Sequence, residues 1–303
     1  MASAATGTAI AAPPLTVTVE RGRLRMFAKA IGERNPIYSD VDAARAAGHP
    51  DLLVPPTFLF GLELEQPDPF AWLADFGAEL AQVLHAGQQF RYHTLVHAGD
   101  DLTVQSRIVE SYERQGGALL FIERTTEVTR GTQPVATMQQ TVAVRQPGAP
   151  APRRPPREGR VDHRQRPVTG LVPGGGLPPL SPGRISRTVL ALFAGGSGDH
   201  NPVHIDVDAA AAAGMADVFA HGMLSMAYLG RLLTAAVRQH RLVEFGVRFV
   251  AVTPVNVEPT CSGAVVGIEE HDGRGAARVE LDVRLPDGTV TVTGHALLYV
   301  EDE

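Results

Sequence analysis

The sequence predicts an α+β fold that occurs twice within the 303 residues of the chain. Two internal segments match each other without a gap, and a stretch rich in proline and glycine separates them. In each copy, helical patterns come first and a run of neighbouring strand patterns follows, which is typical of an antiparallel sheet packed on helices. Each half is long enough to form its own hydrophobic core.

The repeat is clearest between residues 27–58 and 193–224, where fourteen of the thirty-two aligned positions are identical. Some of these identities are alanines, but both segments share a G-x-x-N-P frame followed by D-V-D-A-A. A second match joins residues 90–104 and 247–261. Self-similarity of this kind indicates one structural unit that is used twice.

Residues 147–183 are crowded with proline, glycine and arginine, and they lack apolar periodicity. This composition is typical of a linker that crosses the surface. Residues 1–14 have neither the basic segment nor the long apolar segment of a signal peptide, so we interpret them as a disordered tail. The predicted domains are therefore an amino-terminal half, 15–146, and a carboxy-terminal half, 184–303.

Each copy is predicted to have a short helix before the G-x-x-N-P turn and an alanine-rich helix after it. A longer apolar helix should follow; in the second copy its apolar positions recur at helical spacing from His221 onward. Asp-Gly turn signals separate some of the strand patterns that come next. These strand patterns cover residues 101–113, 118–130, 134–145, 243–253, 264–270, 276–285 and 289–300.

Composition excludes several classes of protein. The net charge of -6 argues against a general nucleic-acid-binding protein. The one cysteine, Cys261, cannot form an intramolecular disulfide, which agrees with a cytoplasmic location. No apolar run reaches the roughly 18–20 residues that a membrane span needs.

The turn GDHNPVH, residues 198–204, carries the first candidate reactive groups. Gly198 permits a tight backbone, and Pro202 prevents a helix from running through the turn. Asn201 can hydrogen-bond its own backbone and hold the turn. Such a turn can aim Asp199 and His204 at one water molecule, which could then lose or gain a proton.

The first copy keeps the frame of this turn but has lost the reactive pair. Glu33 and Tyr38 occupy the positions of Asp199 and His204. A tyrosine, with a pKa near ~10, cannot serve as a base at neutral pH without a large shift. The selective loss of this pair indicates that the second copy is the catalytic one.

A second contrast lies where the long helix begins. The second copy has AHGM and the first has VPPT, so that Pro56 stands opposite Gly222. The Gly222 N–H would lie at a helix amino terminus, where it favours developing negative charge. Pro56 has no N–H to offer. The first copy therefore lacks the predicted oxyanion donor as well as the predicted acid–base pair.

Other interpretations of these residues remain open. Asp199 could cap a helix, and His204 could be a buried structural histidine. A metal site is disfavoured, because Pro202 interrupts the helix that His200 and His204 would share and no third ligand has suitable spacing. No G-x-S-x-G motif surrounds Ser225, so a serine nucleophile is not expected. Three histidines of the first half are predicted to be structural: His85, His93 and His97.

The segments FAGGSGDHNPVHIDVDAA, AHGM and VRFVAVTPV resemble the MaoC-like, (R)-specific enoyl-CoA hydratase (hydratase 2) family. The first half, with FAKAIGERNPIYSDVDAARAAG and YHTLVHAGDDLTVQSRIVESYERQGG, resembles the non-catalytic subunit of actinobacterial (3R)-hydroxyacyl-ACP dehydratases. The chain would then be a fused pair of two subunits. The resemblance implies a double hot-dog fold, a pseudo-dimer in which two antiparallel sheets each wrap a long central helix.

The resemblance also implies an activity, the interconversion of trans-2-enoyl and (3R)-3-hydroxyacyl thioesters without a cofactor or metal. Asp199 and His204 would form the catalytic dyad with support from Asn201, and the Gly222 N–H would polarise the thioester carbonyl. The degenerate half would house the acyl tail, with residues 52–64 offering apolar surface. The expected substrate-binding residues are His221, Met223, Ser225, Pro55, Pro56, Phe58 and Arg248.

Several alternatives stay open at this point. The carrier could be coenzyme A or an acyl carrier protein, and the pathway could be fatty acid or polyketide metabolism. Another hot-dog enzyme such as a thioesterase, a specialised natural-product dehydratase and a non-catalytic acyl-binding protein remain as other functions. A homodimer of such chains is open, and either member of the dyad could be the base.

Overall fold

The computed structural model describes residues 11–146 and 170–301. The predicted disordered tail falls largely outside these ranges, as do residues 147–169 of the predicted linker. Among the described helices, none has the length and apolar character that crossing a membrane requires.

Each half contains short helices followed by strands, as the sequence predicts. The described elements of the amino-terminal half are β1 (Leu15–Thr18), α1 (Arg21–Ala30), α2 (Val41–Ala46), β2 (Val83–Tyr92), β3 (Asp101–Arg114), β4 (Leu119–Arg130) and β5 (Gln133–Arg145). Those of the carboxy-terminal half are α3 (Arg187–Ser197), α4 (Val207–Ala212), α5 (Gly222–Ala236), β6 (Leu242–Phe249), β7 (Thr260–His271), β8 (Arg274–Arg284) and β9 (Val290–Tyr299).

The strands form one nine-stranded sheet in the order β1-β3-β4-β5-β2-β6-β9-β8-β7. The two halves join where β2 and β6 pair in antiparallel register, with Gly87 opposite Arg248 and Phe90 opposite Phe245. The two predicted sheets of the pseudo-dimer are therefore continuous, because backbone hydrogen bonds cross the junction. Joining the sheets covers two edges that would otherwise expose unpaired backbone groups.

The central helix is long only in the carboxy-terminal half. There α5 spans 15 residues and buries most of its side chains against the sheet. The equivalent segment of the amino-terminal half, Phe58–Glu65, is a 3-10 helix of 8 residues. The prediction of a long helix in each half is therefore wrong for the first. Pro55 and Pro56 provide no backbone donors there, and a Cβ on Gly61 would lie only 2.1 Å from the Ser197 carbonyl oxygen.

Part of the predicted linker belongs to the folded sheet. The Leu177 N–H donates to the Gly263 carbonyl at 2.8 Å, and Leu180 forms a bridge with Cys261 of β7. Leu171 and Leu177 are buried in the core. Residues 170–180 thus line the edge of β7 and are not a solvated surface crossing, because their leucines find apolar partners. The domain boundaries themselves stay a prediction.

Candidate active site

The GDHNPVH turn directly follows α3. Gly198 ends the helix with a φ of 82°, a left-handed conformation that favours glycine. The Asp199 N–H then donates to Ser197 Oγ at 3.1 Å. Asn201 Oδ1 accepts from the Val203 N–H at 3.3 Å, so Asn201 holds the turn as the sequence predicts.

This turn brings the predicted pair together and adds a third group. Asp199, His204 and His221 each offer a side-chain oxygen or nitrogen, and these atoms all lie within 4.8 Å of one another. The imidazole rings of His204 and His221 contact each other, with centroids 4.1 Å apart. His204 is buried, His221 is fully buried and Asp199 is partly exposed. The sequence predicted that His221 would contact the substrate, but not that it would pack on His204.

Backbone carbonyls determine which nitrogen of each ring carries the proton. His204 Nδ1 lies 2.9 Å from the Phe219 carbonyl oxygen, and His221 Nε2 lies 3.1 Å from the Asp199 carbonyl oxygen. A carbonyl oxygen can only accept, so both of these nitrogens donate. His204 Nε2 and His221 Nδ1 therefore carry the free lone pairs of the neutral rings.

Burial keeps both rings neutral. It lowers the pKa of His204 from its ordinary value, and the nearby Asp199 carboxylate opposes this shift only in part. Burial also lowers the pKa of His221 to about 4, with a further decrease caused by His204. At neutral pH, His204 Nε2 is thus available to accept a proton.

The first turn of α5 faces this group with unsatisfied polar atoms. Within the described ranges, no hydrogen-bond acceptor lies on the Gly222 N–H. His221 Nδ1 and Ser225 Oγ are buried and, among the same residues, also have no hydrogen-bond partner. Buried polar groups are normally paired, so an unpaired cluster at a helix amino terminus is typical of a ligand site.

Phe249 forms a wall of this region. Atoms of its ring lie 3.0 Å from the position that a Cβ on Gly222 would occupy. Glycine therefore allows the aromatic ring to pack directly on the start of α5. Met223, the residue after Gly222, is buried and belongs to the hydrophobic core.

Four predicted substrate-binding residues are not brought to this cluster. Pro55, Pro56 and Phe58 are buried, and Phe58 packs edge-to-face on Phe27 at 5.4 Å between ring centroids. Their apolar segment is buried, although Phe58 and Leu62 line a cavity beside β1. Arg248 is exposed and precedes Phe249 on β6, so it points to the opposite face of the sheet.

The degenerate pair of the first half has structural partners instead. Glu33 forms an ion pair with Arg231 of α5 at 3.9 Å. The Tyr38 hydroxyl donates to Gln239 Oε1 at 2.8 Å. The positions that correspond to Asp199 and His204 therefore hold the amino-terminal half against the carboxy-terminal half.

Arg23 of the amino-terminal half reaches the end of α3, a contact that the sequence analysis missed. Its Nε donates to the Gly196 carbonyl at 3.0 Å and its Nη2 to the Ser197 carbonyl at 2.8 Å. Cations favour the carbonyl end of a helix. Arg23 thus stabilises the helix end two residues before Asp199.

Among the described residues, Asp199, His204 and His221 form the group that could hold a metal ion. His221 supplies the third ligand atom that the sequence analysis did not find. The two imidazole rings are in tilted contact, with their planes at 35° to each other. His204 Nδ1 and His221 Nε2 already contact backbone carbonyl oxygens, so only the other nitrogen of each ring could bind an ion.

We expect the free energy of unfolding to fall as the pH decreases from 6.5 towards 4. Burial lowers the pKa values of His85 and His221 to about 4 in the folded chain, from an ordinary 6.5. Between these values the unfolded chain binds protons that the folded chain excludes, so stability increases with pH. Each histidine contributes up to about 1.4 kcal/mol per pH unit.

Urea unfolding across this pH window measures the slope. His85→Gln should reduce the slope, whereas His93→Gln, at an exposed position, should leave it unchanged. A free energy of unfolding that does not depend on pH in this window would contradict the expectation.

Comparisons with known proteins agree with this architecture. Residues 4–138 match the FAS1-like dehydratase domain region, and residues 158–285 match the MaoC like domain. The UPF0336 protein of Streptomyces coelicolor is 35% identical over 131 residues, which are 43% of this chain and 87% of that protein.

Solved structures confirm the fold. A MaoC-like dehydratase from Phytophthora capsici matches with a TM-score of 0.74 at 20% identity, covering 97% of this chain and 96% of the other. A Mycobacterium tuberculosis protein described as having a double hot-dog fold matches with a TM-score of 0.63 at 13% identity, covering 97% and 96%. The chain therefore has a double hot-dog fold, carries a segment that matches the MaoC like domain, and belongs to the family of the UPF0336 proteins.

Proposed function

We propose that the protein interconverts trans-2-enoyl and (3R)-3-hydroxyacyl thioesters, and that the carboxy-terminal half performs the chemistry. The main support is one arrangement: Asp199, His204 and His221 offer side-chain atoms within 4.8 Å of one another, and Gly222, whose N–H has no acceptor among the described residues, directly follows His221. A hydration needs a proton acceptor for water and a donor for the carbonyl oxygen. His204 in the turn after α3 would accept the proton, and Gly222 at the start of α5 would donate to the carbonyl oxygen.

In the hydration direction, the thioester carbonyl oxygen accepts a hydrogen bond from the Gly222 N–H. Asp199 and His204 hold a water molecule at the β-carbon of the enoyl group. His204 Nε2 accepts a proton as the water oxygen bonds to the β-carbon, and negative charge collects on the carbonyl oxygen. The α-carbon then takes a proton, which completes the addition of one water and restores the neutral ring. Dehydration is the reverse.

The amino-terminal half provides space next to its short 3-10 helix. A cavity of about 210 Å³ lies there, and its lining includes Trp72, Ile108 and Arg124. We propose that the acyl chain occupies the interior of this half, where a long central helix would otherwise lie. The predicted surface, residues 52–64, contributes Glu63 to this lining, while residues 52–62 are buried.

The carrier is coenzyme A or an acyl carrier protein. Both carry phosphate at the far end of the pantetheine arm from the thioester, and the exposed guanidinium of Arg248, on the opposite face of the sheet, is a candidate contact for that phosphate. His221, Met223 and Ser225 border the start of α5 and remain our proposed contacts for the thioester itself.

Incubation with crotonyl-CoA and with longer enoyl thioesters tests the function. We expect enoyl absorbance to decrease without release of free thiol, and the product to be the (3R)-3-hydroxyacyl thioester. Release of free thiol would instead indicate a thioesterase that uses the same pair to activate water against the carbonyl. Unchanged absorbance and no free thiol with CoA and acyl-carrier-protein thioesters alike would reject both activities.

A further inference from the structure

A histidine of the amino-terminal half lies at the edge of the proposed active site. His85 is on β2, where Val142 of β5 is its partner, and the register shifts between His85 and Gly87. From Gly87 onward, β2 pairs with β6 of the other half. Such bulges redirect side chains and are frequent next to active sites. The structural role that the sequence analysis assigned to His85 does not account for this placement.

Ring contacts connect His85 to the start of α5. Its imidazole lies 4.9 Å from the Phe249 ring, centroid to centroid. The Phe249 ring in turn packs on Gly222. Burial lowers the pKa of His85 to about 4, and the negative charge of Asp199 opposes this shift in part. His85 is therefore a neutral group beside the proposed carbonyl site.

His85 Nε2 is buried and has no hydrogen-bond partner in residues 11–146 and 170–301. Trp72 Nε1, in the same half, is also buried without a partner there. His85 pairs with Val142 in the sheet, and Trp72 packs against the cluster that Val142 forms with Ile122 and Ile108. Folded proteins rarely leave such atoms unpaired, so two of them along one interior favour a polar ligand.

The interior between these two groups is polar as well. Arg124 Nη1 donates to Gln140 Oε1 at 2.8 Å, and its Nη2 forms an ion pair with Glu63 at 3.1 Å. Ser106 Oγ donates to the same glutamate at 3.0 Å. An unsubstituted alkyl chain could form no hydrogen bonds with these groups, and burying the groups against it would cost free energy.

We propose that the amino-terminal half selects acyl thioesters whose chain carries a hydrogen-bonding oxygen beyond the β-carbon, and that His85 Nε2 binds this oxygen. The inference rests on the proposed function, because that function sets the path of the acyl chain from the thioester carbonyl at Gly222 into the first half. His85 touches the substrate in this account and takes no part in proton transfer to the β-carbon.

The test compares trans-2-hexenoyl-CoA with 5-hydroxy-trans-2-hexenoyl-CoA. We expect kcat/KM of the native chain to favour the hydroxylated substrate by about tenfold, as one good hydrogen bond would produce. His85→Leu should remove this preference through KM, with kcat unchanged, because the contact is present equally before and during the reaction. His85→Gln, which keeps a nitrogen donor, should restore part of it.

His93→Leu is the matched control, since His93 directly follows β2 but is exposed and contacts Thr137. It should leave the preference unchanged. No preference in the native chain, or a preference that persists in His85→Leu, would overturn the inference. A loss that His85→Gln does not rescue would indicate packing and would also overturn it.

Calorimetric binding of the saturated analogues, 5-hydroxyhexanoyl-CoA and hexanoyl-CoA, separates this inference from the proposed function. If the native chain hydrates neither enoyl substrate but binds the hydroxylated analogue more tightly in a His85-dependent manner, the function fails and the inference stands. If hydration proceeds equally well with both substrates, the function stands and the inference fails.

Discussion

Asp199→Asn and His204→Gln should each lower kcat/KM for enoyl-thioester hydration by about a thousandfold, within the range of about 10²–10⁴ that general acid–base groups contribute. The reason is that each change removes one of the two groups that hold and deprotonate the water. His204→Gln also replaces the free Nε2 lone pair, which the hydrogen bond from Nδ1 to the Phe219 carbonyl leaves open. Steady-state kinetics on the crotonyl thioester measure the loss, and circular dichroism checks that the fold persists.

The duplicated frame supplies matched controls for these variants. Glu33→Gln and Tyr38→Phe change the equivalent positions of the first half, which contact Arg231 and Gln239 instead of the proposed water site. We expect them to change stability by about 1 kcal/mol while activity stays within a few fold. If the controls lost as much activity as the Asp199 and His204 variants, the assignment of chemistry to one half would be wrong.

Gly222→Pro should lower kcat for hydration by about a hundredfold or more, because removal of one oxyanion donor costs about 10²–10³ in rate. The substitution copies the proline of the first half and removes the N–H that faces the site. The local backbone accepts it: His221 is extended, with φ -53° and ψ 134°, and Gly222 is the first residue of α5. Proline is well tolerated at the first helical position, and an extended residue suits the position before it.

Gly222→Ala is the control for this variant. Alanine places the same Cβ about 3.0 Å from the Phe249 ring but keeps the N–H. We expect a smaller decrease in rate for alanine than for proline. Equal losses in the two variants would show that contact with Phe249, and not the missing donor, causes the effect.

The sequence predicts the local parts of this site well. The turn around Asp199 and His204 is specified by Gly198, Asn201 and Pro202, whose backbone preferences act within a few residues. Short-range periodicity also predicts strands β3 to β9 and helix α5, whereas β1, β2 and the short helix of the first half were not predicted. The aligned repeat also shows, without any knowledge of the fold, that the second copy has Asp199 and His204 where the first has Glu33 and Tyr38.

The remaining features depend on contacts between distant segments. Sequence reasoning could not place His85 next to Phe249, because the bulge in β2 and the pairing of β2 with β6 determine that contact. The free nitrogen of His204 depends on the position of the Phe219 carbonyl, 15 residues away. The Pro55-Pro56 pair could have indicated the short helix of the first half. These prolines lack backbone N–H donors, and Pro56 stands opposite Gly222, the first residue of α5.

The amino-terminal half has retained its fold while its reactive positions have acquired contacts with the other half. Glu33 meets Arg231, and Arg23 holds the end of α3 next to Asp199. These contacts connect the first half to α5 and to the end of α3, which precedes Asp199.

A structure of the Asp199→Asn variant with a bound enoyl-pantetheine thioester tests the central claim most directly. The account predicts the carbonyl oxygen within about 3 Å of the Gly222 nitrogen, in hydrogen-bond range, and the β-carbon facing His204 Nε2 across the space for one water. The acyl chain should run towards His85. A carbonyl oxygen bound away from the start of α5, or a β-carbon turned away from His204, would contradict the account.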